Sequence, residues 1–176
     1  MGIIGTPGKV KLFCGIIYFD EEIKRKSFRV LEEKLGKIDL TSDVITFDFS
    51  NYYNLEMGNV LKRFWISFKR LISIDMLAEI KVSTNSIENS FALLDGKRQI
   101  NIDPGYISLA NVILATTKNY SHRVYVSSGI YAEVTMIYKK GGFVKLPWTY
   151  PDYLSKTAAE FFLKVRSCLM KQLKES

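Results

Sequence analysis

Residues 9–18 are apolar on both sets of alternate positions, with Val10, Leu12, Cys14 and Ile16 on one and Phe13 and Ile17 on the other. That is the pattern of a central strand covered on both faces. The period then lengthens. Asp20 stands ahead of Ile23, Ser27, Val30, Leu31 and Leu35 at helical spacing, and Gly36 follows, which predicts a helix capped by Asp20 and stopped by the glycine. Ile45, Phe47 and Phe49 alternate with Asp48 and suggest a strand over 43–53; 61–71 pairs with it across a loop holding Tyr52, Tyr53, Glu56, Met57 and Gly58. Residues 77–83 fit strand or helix, and Asn85 with Glu88 reads as a capping box for a helix reaching Leu94. A strand over 97–103 is expected to end at Pro104-Gly105, a pair favoured in type II turns. Strands at 112–116 and 122–126 follow; Ser128-Gly129 turns the chain into 130–138, and Lys140-Gly141-Gly142 turns it again into 143–146. The last segment, 152–173, carries the helical stripe Leu154, Ala158, Phe161, Phe162, Val165, Leu169 and Leu173, with Thr149 and Asp152 as its expected capping box.

Up to residue 103 the order is strand, helix, strand, strand, helix, strand, the split pattern of a ferredoxin-like half. The expected fold class is α+β: a mixed, mostly antiparallel sheet with a ferredoxin-like βαββαβ start, a β-hairpin extension and a C-terminal packing helix, in one domain over 1–176. Composition agrees with that reading, since 47% of residues are apolar and 24% charged, an ordinary globular mixture rather than a disordered one. The longest apolar run, 10–19, is broken by Lys11 and falls far short of the roughly 20 residues that cross a bilayer. Residues 1–8 hold neither a basic segment nor a small-residue cleavage site, so a cytoplasmic protein with Cys14 and Cys168 as reduced thiols is expected. The 25 basic and 18 acidic residues leave a formal net charge of +7, which favours anionic partners such as nucleotides, RNA or phosphorylated metabolites.

Several polar groups carry candidate chemistry. The run Gly2 to Lys9 is not a phosphate-binding loop, because five residues rather than four separate Gly2 from Gly8-Lys9 and Val10 stands where a Ser or Thr is needed. His122 is the single histidine. A two-residue hairpin at Ser128-Gly129 sets Val124 opposite Glu133 and His122 diagonal to it on one face. That pair suits acid–base work, or a divalent metal shared with Asp103; a cross-strand hydrogen bond explains it equally. Asn101 and Asp103 share a strand side, and Asp103 reads either as a ligand position or as a turn former. Asp48, Tyr52, Tyr53 and Glu56 gather around one loop, with Arg63, Lys81, Arg98, Lys118 and Arg123 as cationic counterparts. Trp148 to Tyr153 is aromatic-dense and either walls a pocket or docks the final helix.

The segments Pro7 to Gly15, Phe47-Asp48-Phe49, Tyr52-Tyr53, Glu56-Met57-Gly58, Ile80-Lys81 with Thr84-Asn85 and Glu88, Arg98 with Asn101 to Tyr106, Leu114 to Lys118, His122-Arg123, Gly129 to Glu133 and Trp148 to Tyr153 together resemble an uncharacterised prokaryotic family, domain of unknown function 4416. The resemblance covers nearly the whole chain. It brings no established activity, but it singles out polar positions: Asp48, Glu56, Lys81, Asn85, Glu88, Arg98, Asp103, Lys118, His122, Arg123 and Glu133. The expected function is a small-ligand site, catalytic or not, for a nucleotide or other phosphorylated molecule, with a divalent metal as an optional cofactor. Asp103, Glu133 and His122 are the candidate catalytic groups. Lys81, Arg98, Lys118 and Arg123 are to neutralise phosphate, while Asp48, Glu56, Asn85, Glu88, Asn101, Tyr106, Tyr131 and Trp148 complete the site. The rival expectations are a non-catalytic RNA- or nucleotide-binding module and a protein-interaction subunit.

Overall fold

A computed structural model describes residues 2–50, 52–58 and 60–175. In chain order its elements are β1 (Val10–Tyr18), α1 (Glu21–Leu35), β2 (Ile38–Thr41), β3 (Ile45–Phe47), the one-turn helix α2 (Asn54–Met57), β4 (Leu61–Ile72), α3 (Leu77–Ser90), β5 (Ile100–Ile107), β6 (Asn111–Thr116), β7 (Val124–Ser127), β8 (Ile130–Lys139), β9 (Gly142–Lys145) and α4 (Lys156–Glu175), with 3-10 turns at Ile74–Met76 and Pro151–Leu154. The strands form one sheet in the order β2-β4-β1-β5-β6-β8-β7, with β3 added to β4 and β9 to β8. The pairings are antiparallel. The fold is thus α+β with a mostly antiparallel open sheet, and among the described residues no helix is long and apolar enough to cross a membrane.

β1 is buried at every position, because both of its faces are covered. Val10, Leu12, Cys14, Ile16 and Tyr18 pack with Leu31 of α1 and Ile80 and Ile87 of α3. Phe13 on the other face packs with Trp65 and with Phe161, Phe162 and Val165 of α4. Burying such a side chain contributes roughly 1.5–3 kcal/mol, so the two cores clamp the sheet centre from both sides. At one end Lys11 is buried yet fully engaged, donating to Asp39 at 2.7 Å, Phe68 O at 2.9 Å and Gln172 at 2.9 Å. At the start of α1, Asp20 accepts from the Glu22 and Ile23 amides as expected of a cap.

Several elements differ from their expected extents. Between 43 and 53 only Ile45–Phe47 is strand, and β2 precedes it. Residues 77–90 are one helix: Leu77, Ala78, Ile80, Lys81, Thr84, Ile87 and Glu88 are its buried residues, so Asn85 lies inside it and caps nothing. Pro104 and Gly105 are not a turn but part of β5, opposite Cys14 and Phe13; the turn comes at Ser108, whose amide donates to Asn111 O at 3.0 Å. α4 begins at Lys156, without Thr149 and Asp152 as its caps. Ser128 and Gly129, at φ 53° and 74°, do make the two-residue hairpin turn. A bulge between Tyr125 and Ser127, however, places Val124 opposite Ala132 rather than Glu133.

Candidate functional site

β5 runs beside β1 from Ile100 to Ile107 but pairs with β6 only from Gly105 to Ile107. Over 100–104 the two strands therefore part like a fork. Side chains of α3 close the freed edge: Lys81 Nζ donates to Ile102 O at 3.0 Å, and Glu88 accepts from the Ile102 amide. They take the place of ladder partners that β6 no longer supplies. Pro104 shares the β1-distal edge with Ile102 and lies beyond the last β6 pair, so its missing N–H forfeits no ladder bond. The fork, the loops after β3 and β6, and the turn before α4 enclose a cleft of about 390 Å³, within the range of small-molecule sites.

Arg63 of β4 and Asn101 and Asp103 of β5 lie on the cleft wall. Gly15 of β1, between Trp65 and Asp103 in the ladder, makes room for the Arg63 head: a Cβ there would lie 2.6 Å from Nη2 and 2.9 Å from Cζ. The guanidinium stands 4.9 Å from the Trp65 ring centroid and 5.4 Å from that of Tyr153, and the side chain is only 2% exposed. Nη2 donates to Tyr153 Oη at 3.2 Å. Nε approaches Asp152 Oδ2 to 3.0 Å as an ion pair without hydrogen-bond alignment, and Nη1, 3.6 Å from Asp103 Oδ2, is buried with no hydrogen-bond partner. Burial opposes the arginine's charge, but Asp152 above all, then Tyr153 and Asp103, outweigh it and raise its pKa.

From Asp103 a rail of contacts runs outward. Asn101 Nδ2 donates to Asp103 at 2.8 Å, Arg98 Nη1 to Asn101 at 3.1 Å, and Arg98 Nε to Glu56 at 2.7 Å. Burial pushes the Glu88 carboxyl up to about 7, with Lys81 opposing the rise, and burial likewise raises Asp152 against the pull of Arg63. At the mouth, Lys118 Nζ donates to Tyr52 Oη at 3.0 Å, joining the loops after β3 and β6 and lowering the phenol's pKa.

Glu133 serves the wall. Its side chain is 1% exposed; Oε2 accepts from Arg123 Nε at 2.7 Å and lies 3.3 Å from His122 Nε2, while Oε1 accepts from Thr135 at 3.2 Å. Arg123 also donates to Lys118 O at 3.1 Å and Tyr150 Oη at 2.9 Å, tying the loop after β6 to β8 and to the turn before α4. Behind it the His122 ring stacks on Trp148 at 4.8 Å.

Of the residues expected to form a site, Lys81, Asn85, Glu88, Arg98, Asn101, Asp103, Lys118 and Glu133 line the cleft. His122 and Arg123 stand behind its wall through Glu133, and Glu56 reaches it through Arg98. Asp48 is exposed outside it. Tyr106 packs on the opposite sheet face against the α1–α3 core, and Tyr131 packs on Tyr125 in the β7–β8 hairpin. Asp103, Glu133 and His122 are not one constellation: Asp103 belongs to Arg63 and Lys81, and Glu133 to Arg123 and His122. Among the described residues no three His, Cys, Asp or Glu side chains group to hold a metal ion. The cleft lining thus brings the cationic Arg63, Lys81, Arg98 and Lys118 beside the carboxyl groups of Glu88, Asp103, Glu133 and Asp152.

Sequence reasoning missed the central place of Arg63 and the part of Asp152 and Tyr153. The signal lay in β4, where Arg63 falls on the same alternate set as Leu61 and Trp65, a face too apolar to leave a guanidinium without partners.

No curated protein and no solved structure matches the chain. A family model described as Domain of unknown function (DUF4416) matches residues 8–168. That span runs from before β1 into α4 and includes every residue that lines the cleft, and the chain belongs to the DUF4416 family.

Proposed function

We propose that the cleft is the binding site of a small phosphorylated molecule, mononucleotides included, and the place where any chemistry on it occurs. One observation carries the reading: four cationic side chains, Arg63, Lys81, Arg98 and Lys118, converge on this one cleft. Charge-assisted hydrogen bonds from arginine and lysine are the usual means of holding phosphate oxygens. Lys81, Arg98 and Lys118 line the same cleft and add positive charge for the remaining phosphate oxygens. In such a site Asp103 is the acid–base candidate, while Glu133 and His122 position the wall. A divalent metal, if it takes part, arrives with the phosphate rather than in a ready three-ligand cage.

The rival readings draw less support. A nucleic-acid platform needs an open sheet face, and β1 is buried along its whole length. The strand order β2-β4-β1-β5, with α1 and α3 packed on one face, supports the ferredoxin-like reading of the first half, and a cytoplasmic location fits the free state of both cysteines.

The test is a thermal-shift panel of nucleotides and phosphorylated metabolites, each with and without magnesium, manganese or zinc. At a hundredfold excess over its dissociation constant, a ligand adds about 2.7 kcal/mol of stability. A hit that disappears in Arg63→Lys, in a protein that still melts cooperatively, is the expected result. A flat panel, or a hit indifferent to Arg63→Lys, rejects the proposal.

A further inference from the structure

The four carboxylates lining the cleft, Glu88, Asp103, Glu133 and Asp152, differ in what they have left to offer. Glu133 is closed off by Arg123, His122 and Thr135. Asp152 is buried against Arg63, and Glu88 is buried on the Ile102 amide. Asp103 differs, with 31% of its side chain exposed. Its two cations, Arg63 at 3.6 Å and Lys81 at 3.8 Å, stand beyond ordinary hydrogen-bond length. Among the described residues the hydrogen bond that does reach it comes from Asn101 at 2.8 Å on Oδ2, which fixes the carboxylate's orientation and leaves Oδ1, 3.8 Å from Lys81 Nζ, with room to accept.

An ionised carboxylate accepts only, so the ligand group that meets Oδ1 is an O–H or an N–H. Arg63 and Lys81 beside it, with Arg98 one residue further along the rail, disfavour an ammonium there and tolerate a neutral hydroxyl. Asn85, Thr116 and Thr117 line the same cleft and supply further uncharged partners. Because Asp103 lies close to two of the cations that would hold the anion, hydroxyl and phosphate belong to nearby carbons of one molecule. We infer that the ligand is a phosphorylated polyol, such as a sugar phosphate or the ribose-phosphate part of a nucleotide, with Asp103 as its hydroxyl receptor. This rests on the anion-binding reading above and narrows it.

Calorimetric titration with four probes separates the two. They are inorganic phosphate, ethyl phosphate, ribose 5-phosphate and ribose. Wild-type protein is expected to bind ribose 5-phosphate about ten- to hundredfold more tightly than ethyl phosphate, the worth of a hydrogen bond to a charged group. Asp103→Asn is expected to erase most of that ratio while leaving ethyl phosphate unchanged or tighter, since a like charge has gone. Equal affinity for ethyl phosphate and ribose 5-phosphate overturns the polyol inference and leaves the anion site standing. So does an Asp103→Asn protein that weakens both esters alike, since that marks Asp103 as an Arg63 holder. If neither ester nor phosphate binds, the anion reading falls and the inference with it. Should Asp103→Asn fail to fold, the wild-type ratio decides alone.

Discussion

Arg63 sits where a strand normally buries hydrocarbon, and its neighbours are chosen accordingly: a glycine beneath it, indole and phenol rings around it, and Asp152 from a distant turn. Gly15→Ala is expected to push the guanidinium out of this nest, at a cost of about 1–3 kcal/mol in urea unfolding, and to weaken phosphate binding. An alanine variant with unchanged stability and binding would show that the close packing does not set the arginine's position. Glu88 gives a second prediction. Its carboxyl stays protonated in the fold up to about 7, against 4.5 as an ordinary value. The folded state therefore holds the extra proton between those limits, and stability is full below pH 4.5 and falls as the pH rises through 7. Glu88→Gln, which can still accept from the Ile102 amide, is expected to flatten this fall, on the order of 3 kcal/mol in all. Chemical unfolding at pH 5, 6, 7 and 8 reads it directly; equal slopes for both proteins would contradict the assignment.

At the scale of elements, what makes the cleft is that β5 keeps β1 but abandons β6. Gly105, the last paired residue before the fork, carries no side chain because a Cβ would run into Ile113 O and the Phe13 ring. Gly105→Ala is expected to lose more than about 3 kcal/mol or to prevent folding, whereas Asp20→Ala, which removes only the α1 cap, is expected to lose about 1 kcal/mol with ligand binding intact. Urea midpoints for the two check that ranking. The strong local patterns were legible: the doubly apolar β1, the capped α1, the Ser128-Gly129 hairpin and the α4 stripe all follow from spacing and turn chemistry. Pro104-Gly105 misled because a proline is tolerated in a strand once its N–H side has no partner, and only the tertiary fork reveals that. The polar positions read from the chain do gather, eight of them on one cleft. The bulge at Tyr125–Ser127 and the long reach of Arg63 to Asp152 could not be read from local sequence, since both are set by contacts between distant segments.

The whole molecule is organised around a sheet centre clamped on both faces, with its ends less protected: β7 is exposed at each of its four positions, whereas β1 is buried at all nine. Native-state amide exchange is expected to be slowest in β1 and its flanking strands β4 and β5, and fast in β7; comparable protection in β7 and β1 would contradict this division. The fork has a further consequence for how the protein fails. Parting two strands inside a sheet creates a raw edge in the interior, and at Ile102 that edge is plugged by one lysine and one glutamate from a helix. If α3 loosens, the protein bares a pairing edge on its central strands, where another chain can dock and propagate. Lys81→Met, which keeps the helix's bulk but withdraws the lysine half of the plug, should therefore reveal itself less by a lowered melting midpoint than by concentration-dependent assembly, visible as light scattering well below that midpoint. A cleft opened between strands leaves its owner needing a stopper against self-templating, and here Lys81 and Glu88, which line the cleft, are also that stopper.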